Sequence, residues 1–469
     1  MGMEESRPSV RADFVPKSDY LSPEIARLEN DSLWPSVWQI ACRVEEIPKV
    51  GDFVTYDIVQ ESILVVRVSP SIIKAYFNVC QHRGRRLKEG CGNTGATIFC
   101  RFHGWRWTLE GSLARVRARE DWGDSPNFQD GDLRLKEVRV DVWGGAVFIN
   151  MDPHAESLQE YLAPVPEILD PFLLSELRFN WYKTLVMPCN WKIAVDAFNE
   201  GYHTEATHPQ MNKYGYPKFY AAAHGKHAMF YTQVDEGLAQ STSTSTNAVS
   251  GGLDARKFFL NYIVELSDTL KAMYTENAVA AARQMLEQLP AEATADEVTA
   301  KFAALHCEIT QAKGANWPID LTADAAAKAG IDWHIFPNTI VLPTIDGALW
   351  YRARPNGVDI DSCIFDVWSL GRYKAGTEPV VQREFYERLE DFKNNVPFLE
   401  QDFDNLLMVQ KGMRSRGFSG ARTNPVQEAT VSNFHRVLHD YIYRSNVPAQ
   451  TSASRVTEPA LASRNEPCQ

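Results

Sequence analysis

Two short segments of the chain each place a cysteine beside a histidine. The first segment reads Asn78-Val79-Cys80-Gln81-His82-Arg83-Gly84. The second reads Cys100-Arg101-Phe102-His103-Gly104-Trp105-Arg106-Trp107, and 17 residues separate His82 from Cys100. Each segment comes at the end of a strand-like run, so a hairpin turn can direct both of its side chains at one point. Two thiols and two imidazoles placed in this way indicate a metal site.

The order of the four side chains separates two kinds of metal site. A zinc finger with this donor set usually has a cysteine pair first and then carries both histidines on a helix. Here each segment supplies one Cys and one His, and Gly84 and Gly104 lie just after the histidines. This mixed order favours a Rieske [2Fe–2S] cluster, in which two Cys bind one iron and two His bind the other, over a structural zinc site.

The composition is that of an ordinary globular protein. The chain has 469 residues, of which 44% are hydrophobic and 23% are charged, and its formal net charge is −12. This length predicts roughly two or three domains, and the acidic balance argues against nucleic acid or an anionic membrane as the main partner. The sequence has no apolar run that would span a membrane and no secretory signal at its N-terminus, so we predict a cytoplasmic protein.

A second group of histidines lies in the segment from Asn190 to His208. His203 and His208 are five residues apart, so on an ideal helix their directions would diverge by about 140°. Both can therefore bind one metal only if the helix is broken or bulged between them. Two histidines near a helix end carry little specificity by themselves, and surface residues remain an alternative at this point.

Together the segments resemble those of the Rieske non-heme iron oxygenases, specifically the α subunit of the aromatic ring-hydroxylating dioxygenases. The resemblance spans roughly residues 46–412. Quinol-oxidising Rieske proteins have an extra cysteine in each loop, whereas this chain has Arg85 and Phe102 there, and Trp105 stands where that class has a serine. These departures indicate that the cluster has a reduction potential at the lower end of the range known for Rieske clusters.

The resemblance implies two metal centres. The ligands of the [2Fe–2S] cluster would be Cys80, His82, Cys100 and His103, and those of a mononuclear Fe(II) would be His203, His208 and Asp402, with Asp404 as the alternative acid. Glu200 resembles the residue that links the iron site to the partner subunit's His103, although the family usually has Asp there. Phe198 and Asn199, which adjoin this motif, are candidate substrate-binding residues.

The resemblance also implies a function. Electrons relayed through the Rieske cluster would support O2 activation at Fe(II) and oxygenation of an aromatic or other hydrophobic ring substrate, with dihydroxylation favoured. A Rieske monooxygenase or O/N-demethylase on the same scaffold is the first alternative, and a non-catalytic Rieske electron carrier is the second. The substrate, the regiochemistry and the electron donor stay open.

The implied partners follow from the absence of a nicotinamide-binding motif. No GxGxxG segment adjoins a βα unit, so NAD(P)H would act only indirectly, through a ferredoxin, a flavin reductase or both. The family forms homotrimers, α3 or α3β3, which makes a β subunit a further candidate partner. Residues 82–120 contain nine basic and three acidic side chains. This region is a candidate docking face for an acidic donor, and the alternative is that several of its cations pair with buried acids.

The predicted fold class is α+β, with an all-β Rieske domain inserted before an α/β helix-grip-like catalytic domain with a central antiparallel sheet. Short β-rich runs at 53–59, 63–68, 72–79, 97–99 and 145–150 support the first domain. The predicted organisation is a helical lead-in at 1–45 that packs with the catalytic domain, a Rieske domain at 46–150, a catalytic domain at 151–446 with a helical insertion at 254–313, and a disordered tail at 447–469. Further helices are expected at about 380–411 and 424–444.

Overall fold

The computed structural model describes residues 10–215, 218–232 and 254–443. Contacts divide the chain into two units. Among the described residues, the small unit comprises Ala26–Tyr161, Pro355–Val358 and 440–443, and the large unit comprises 10–25, the described part of 162–354, and Asp359–His439. The tail predicted at 447–469 lies outside the described residues. The predicted domain boundaries and the insertion at 254–313 stay predictions.

The N-terminal segment departs from the helical lead-in expected at 1–45. It begins with a two-residue strand, β1 (Val15–Pro16), and two short helices, α1 (Ser18–Leu21) and α2 (Pro23–Leu28). Residues 39–43 then form a strand, β2 (Gln39–Arg43), in which all five residues are buried. A short buried run has no periodicity that distinguishes helix from strand, so the helical expectation for these residues was wrong.

The small unit is built from β-sheet. Its larger sheet has the strand order β2-β11-β10-β5-β4-β3-β6, and a second sheet has the order β7-β8-β9. The strands other than β2 are β3 (Asp52–Ile58), β4 (Glu61–Ser69), β5 (Ile72–Phe77), β6 (Cys91–Asn93), β7 (Thr97–Phe99), β8 (Arg106–Thr108), β9 (Leu113–Arg115), β10 (Glu137–Trp143) and β11 (Ala146–Asn150). All pairings between these strands are antiparallel.

The hydrophobic core of the small unit contains both motif cysteines. Cys80 and Cys100 are buried with Leu64, Tyr76, Ile98 and Trp107. Two aromatic side chains of this core are also anchored by hydrogen bonds, because Tyr76 Oη donates to the Leu109 carbonyl and Trp107 Nε1 donates to the Leu133 carbonyl. The loops that carry the motif residues are therefore fixed on packed strands.

The large unit contains an eight-stranded sheet with the order β13-β14-β15-β16-β17-β18-β12-β19. Its strands are β12 (Arg178–Met187), β13 (Phe219–His224), β14 (His227–Thr232), β15 (Asp332–Ile335), β16 (Thr339–Pro343), β17 (Gly347–Asn356), β18 (Asp359–Gly371) and β19 (Arg383–Tyr386). The pairing of β12 with β19 is parallel, while the other recorded pairings are antiparallel. This sheet confirms the predicted fold class.

Strand β19 corrects the helix expected at about 380–411. The helix begins only at Pro397, and residues 383–386 add an edge strand to β12. The strand is stabilised by side chains, since Lys183 Nζ on β12 lies 2.8 Å from Glu384 Oε1 and Arg383 Nε donates to Thr184 Oγ1. These partners lie about 200 residues away in the sequence, where no local pattern indicates them.

The remaining helices also lie mainly in the large unit. They are α3 (Leu158–Leu162), α4 (Val165–Leu169), α5 (Trp191–Ala197), α6 (Thr204–Thr207), α7 (Ala255–Thr269), α8 (Glu276–Gln288), α9 (Ala295–Ala312), α10 (Ala323–Lys328), α11 (Pro397–Met413) and α12 (Ala429–Ile442). A short strand β20 (Gly420–Ala421) pairs with β1. Thr294 and Glu297 form the capping box expected at the start of α9. Within the described ranges, none of the helices has the length and apolar character needed to cross a membrane.

One face of the eight-stranded sheet, called the inner face here, carries Asp332, His334, Ile340, Tyr351 and Phe365. His334 pairs with Ile340 and Ile340 pairs with Tyr351, and directly paired residues share a face, as do residues two apart on one strand. The ring of Phe198, which follows α5, lies 4.5 Å from the Tyr351 ring and 5.1 Å from the Phe365 ring. The inner face therefore supports the segment that carries His203 and His208.

Candidate metal centres

The two Cys/His loops of the small unit have the same backbone hydrogen bonds. The Cys80 amide donates to the Arg85 carbonyl, and the Cys100 amide donates to the Trp105 carbonyl five residues further on. In each loop the glycine amide then donates back to the cysteine carbonyl, from Gly84 and from Gly104. Both glycines have positive φ, +73° and +77°, a conformation that other residues rarely adopt. The sequence therefore builds two matching turns.

The side chains of these loops lie together. The His82 and His103 rings are 4.6 Å apart between centroids, and the His82 ring stacks on Trp105 at 4.7 Å. In the described part of the chain, the Nδ1 atoms of both histidines are buried without a hydrogen-bond partner. Cys80 and Cys100 are free, buried thiols, and burial raises the pKa of Cys80. Two such imidazoles and two such thiols fit the donor set of a Rieske cluster.

The spread of these four donors argues against a single zinc ion. A tetrahedral zinc site places its donor atoms only about 3.3 to 3.8 Å from one another. Among the described residues, the group of potential ligands whose donor atoms all lie within 4.8 Å consists of His203, His208 and Asp402, and no three of the Cys/His loop donors meet that limit. A cluster of two irons spans the wider separation.

In the large unit, the two histidines flank one short helical turn, and the backbone between them is not broken or bulged as the sequence predicted. Helix α5 begins at an N-cap, where the Asn190 side chain accepts from the Lys192 amide, and it ends at Ala197. His203 precedes the single turn of α6, and His208 follows it with φ −117° and ψ 62°, outside helical geometry. Pro209 comes directly after His208. The helix therefore ends at His208 and is not interrupted between the two histidines.

The two histidines meet a carboxylate from a distant helix. His208 Nε2 lies 3.2 Å and His203 Nε2 lies 3.5 Å from the same atom, Asp402 Oδ1 on α11. The side chains of His208 and Asp402 are almost fully buried, whereas Asp404, two residues further along α11, is exposed. Two His and one carboxylate that converge in this way fit the facial triad of non-heme iron proteins, which leaves open positions on the metal.

The opposite nitrogen of each imidazole is held by a neighbouring side chain. His203 Nδ1 lies 2.7 Å from Glu200 Oε1, and His208 Nδ1 lies 2.8 Å from Gln401 Oε1. When Nδ1 carries the proton in these bonds, Nε2 is left with the lone pair that a metal requires. Burial opposes the charged form of His203, but the Glu200 carboxylate together with the Asp402 and Glu428 charges raises the pKa of His203.

The other predicted site residues lie beside this group. Glu200 is buried, and its second oxygen accepts from the His203 amide at 3.1 Å. Phe198 packs on the inner face, as described above. Asn199 is fully buried, and both of its side-chain polar atoms lack a hydrogen-bond partner among the described residues. The structure thus brings all the residues predicted for this site into one region, although none of these contacts concerns a partner subunit.

Sequence reasoning missed several residues around the site. Gln401, which holds His208, lies next to Asp402, and this position was the only feature of the sequence that could have indicated its role. Behind α5, His435 Nε2 lies 3.1 Å from Asp196 and its Nδ1 lies 3.0 Å from Asp19. Burial opposes protonation of His435, but these carboxylates raise its pKa to about 9. Because Asp19 and His435 are 416 residues apart, no local pattern indicates their contact.

Comparisons with known proteins agree with both centres. Residues 37–134 match the family described as the Rieske [2Fe-2S] domain, and residues 174–444 match the ring hydroxylating alpha subunit (catalytic domain). The carnitine monooxygenase oxygenase subunit of Escherichia coli K12 is 34% identical over 203 residues, which are 42% of this chain and 52% of that protein. The chain thus spans about half the length of the curated relatives it matches.

Two solved structures show the same fold at low identity. A quaternary ammonium Rieske monooxygenase in complex with L-carnitine superposes with a TM-score of 0.61 at 20% identity, over 92% of this chain and 97% of that one. Naphthalene 1,2-dioxygenase with bound indole gives 0.60 at 18% identity, over 92% and 93%.

The paired Cys/His turns and the converging His, His and Asp define the class of iron proteins with one Rieske centre and one mononuclear centre. The match to the catalytic domain covers more than half of this chain, so the chain belongs to the ring-hydroxylating alpha subunit family. The cofactors implied by the two domains are a [2Fe–2S] cluster and a mononuclear iron.

Proposed function

We propose that the protein is the terminal oxygenase component of a Rieske oxygenase system. The observation that carries this proposal is the convergence of the His203 and His208 Nε2 atoms on Asp402 in a chain that also contains the paired Cys/His turns. When bound, the cluster transfers single electrons and the Fe(II) activates dioxygen. Electron transport alone needs no second centre, so the triad argues against a non-catalytic carrier.

In this proposal the protein residues have distinct tasks. Cys80, Cys100, His82 and His103 hold the cluster, and His203, His208 and Asp402 hold the iron. Glu200 and Gln401 orient the two histidines through their Nδ1 atoms. The family resemblance further supports a trimer, α3 or α3β3, in which Glu200 links the iron of one subunit to the cluster of the next. A cytoplasmic location is part of the same proposal.

The substrate class has two candidates. The sequence favoured ring dihydroxylation, which the named activity of naphthalene 1,2-dioxygenase would support. The names of carnitine monooxygenase and of the quaternary ammonium monooxygenase support monooxygenation of an amine instead. The aromatic rings of Phe198, Tyr351 and Phe365 suit either substrate, since aromatic faces pack against apolar rings and attract cations.

Labelled dioxygen separates these two reactions. A monooxygenase uses O2, two electrons and two protons to place one oxygen atom in the substrate and to release the other as water, whereas ring dihydroxylation places both atoms in the product. With 18O2, NAD(P)H and a donor chain, we expect product that carries 18O, measured by mass spectrometry over a panel of quaternary amines and aromatic compounds. One labelled atom indicates monooxygenation and two indicate dihydroxylation. Absence of any O2-dependent product over the whole panel would contradict the oxygenase proposal.

The basic segment near the cluster supports docking of an acidic electron donor, a ferredoxin or a reductase. In the described residues, two of its nine cations form ion pairs within 4 Å, Arg86 with Asp57 and Arg119 with Asp130. Arg83 and Arg101, which adjoin the cluster ligands, are exposed. Exposed charges of one sign raise the encounter rate with an oppositely charged partner. The alternative that buried acids neutralise the segment has no support in these two pairs, because both acids are at least partly exposed.

Charge reversal tests the docking face. In the double variant Arg83→Glu, Arg101→Glu we expect cluster reduction by the donor to slow by about tenfold or more at low salt, because steering is lost. The difference from the wild type should shrink as ionic strength rises and screens the charges. Stopped-flow reduction measures the rate, and a redox titration of the cluster corrects for any change in driving force. Lys328→Glu, at an exposed helix position, is the matched control. Reduction at the wild-type rate would reject this docking face.

A further inference from the structure

The side chain of Asp332 is a buried carboxyl group for which the mechanism proposed above has no use. Asp332 begins β15, is 2% exposed, and lies on the inner face of the sheet. Its Oδ1 atom is buried and has no hydrogen-bond partner, and among the described residues no ion pair to Asp332 is recorded. Burying a polar group without a partner costs free energy, so such groups usually have a ligand or a function.

A row of aromatic rings connects Asp332 to the iron-binding segment. Asp332 is the cross-strand partner of Phe230, whose ring lies 5.7 Å from that of Phe219. The Phe219 ring in turn covers Gly201, where an added Cβ would stand 2.8 Å from the ring. Gly201 directly follows Glu200, which holds His203. The Phe230 and Phe219 rings thus form a chain of neighbours from the strand position of Asp332 to the iron-binding segment.

The electrostatic surroundings of Asp332 are negative. Burial and the nearby Glu200 carboxylate raise the pKa of Asp332 well above its ordinary range, and among the described residues no cation lowers it. Burial and the nearby Asp402 and Asp332 carboxylates raise the pKa of Tyr351 well above its ordinary range, so Tyr351 lies close to both carboxylates. A substrate with a carboxylate at this place would be repelled, whereas a cation would favour the ionised form of Asp332.

Asn199 provides a second, independent sign of a ligand. Its side chain is completely buried, and neither its amide oxygen nor its amide nitrogen has a partner in the described ranges. The backbone around it is fixed, because Thr430 Oγ1 donates to the Asn199 carbonyl. An amide held in place with all its hydrogen-bonding capacity unused is suited to a polar group of a bound molecule.

We propose that Asp332 is the charge-recognition residue for a cationic substrate of the quaternary ammonium class, with the Phe219 and Phe230 rings beside the cation and the Asn199 amide available to a polar group of the same molecule. This inference rests on the oxygenase function proposed above and specifies its substrate class. Aromatic faces attract quaternary ammonium groups by cation–π interaction, and a buried carboxylate adds a full countercharge. The proposal predicts that the charge of the ligand, and not only its shape, determines how tightly it binds.

The test uses two probes of nearly the same shape, choline and its neutral isostere 3,3-dimethylbutan-1-ol. Binding to the holoenzyme, loaded with cluster and iron, is measured by calorimetry. We expect the wild type to prefer choline by at least about tenfold. Asp332→Asn should reduce this preference to near one, while Asp332→Glu should retain it. Asp324→Asn, which removes an exposed charge on α10, is the matched control and should behave as the wild type.

Two results of the binding experiment would overturn the proposal. A wild type without preference for choline overturns the proposal even if Asp332→Asn fails to fold, and so does a folded Asp332→Asn variant that keeps the preference. Cluster absorption and iron content establish that each variant is intact. Because binding is measured without turnover, the result is independent of the 18O2 experiment. Labelled aromatic product without choline binding would reject the cation site alone, whereas choline binding without any oxygenation would reject the enzymatic function.

Discussion

Replacing His208 with alanine is expected to abolish substrate oxygenation while the visible absorption of the iron–sulfur cluster stays unchanged. His208 Nε2 is one of two imidazole nitrogens that converge on Asp402 Oδ1, and its ring is buried against Phe398 at 3.8 Å. Loss of residues that merely orient a metal ligand typically costs 10- to 100-fold in metal affinity or activity. Loss of a ligand itself should therefore lower turnover by more than about 100-fold. His203→Ala should have the same effect.

The acidic ligand provides a matched pair for this experiment. Asp402→Ala should also lose oxygenation and bound mononuclear iron, whereas Asp404→Ala, on the same helix but exposed, should keep both. Iron content per subunit, corrected for the two cluster irons, and product formation with a reducing system are the measurements. Full turnover in the His203, His208 or Asp402 variant would refute this triad, and loss in the Asp404 variant would reopen the choice between the two acids.

The cluster loops are the part of the molecule that the sequence predicts best. The sequence signals for these loops are local, because Cys80 and His82 lie in one turn and Cys100 and His103 lie in another. A glycine with positive φ closes each turn. The strands before the turns also have local signals, since β-rich runs lie between turn residues. The all-β unit and its place before the catalytic sheet could therefore be read from short windows of the sequence.

The iron site is only partly local. The spacing of His203 and His208 predicted a break or bulge between them, whereas in the structure the single turn of α6 joins them and ends at His208. Asp402 lies 194 residues after His208, so its place in the site could be inferred only from the family resemblance. Gln401 and Asp332 had no such guide. Their roles depend on which strands and helices become neighbours, and this depends on long-range packing.

The errors in secondary structure have the same origin. β2 and β19 were expected to be helical, but both are stabilised by strands that are distant in the sequence. Arg43 on β2 pairs with Ala146 on β11, and Arg383 on β19 pairs with Tyr182 on β12. β-propensity depends strongly on such neighbours. Short segments whose partners are remote are therefore the places where local patterns fail.

Glu200→Ala is expected to lower steady-state oxygenation by about 100-fold, and the reason is that this carboxylate has two separable roles. Within the chain, Glu200 Oε1 holds His203 Nδ1 at 2.7 Å, so its loss should weaken iron binding by 10- to 100-fold. In the proposed trimer it also links the iron site to the partner subunit's His103. Excess Fe(II) can compensate for the weaker iron binding, but it cannot replace the missing link to the partner subunit's cluster.

Single-turnover experiments separate the two roles. With Fe(II) restored to saturation, the cluster of Glu200→Ala should still be reduced by its donor at the wild-type rate, because the cluster ligands lie in the small unit and are unchanged. Its reoxidation by O2 in the presence of substrate should instead be slowed by a factor of about 100 or more, since electron transfer to the iron lacks its connecting group. Glu200→Asp, which restores the residue usual in the family, is the matched variant and should retain most of this rate. If Glu200→Ala with full iron occupancy reoxidises its cluster as fast as the wild type, the carboxylate only positions His203, and electrons reach the iron by another connection.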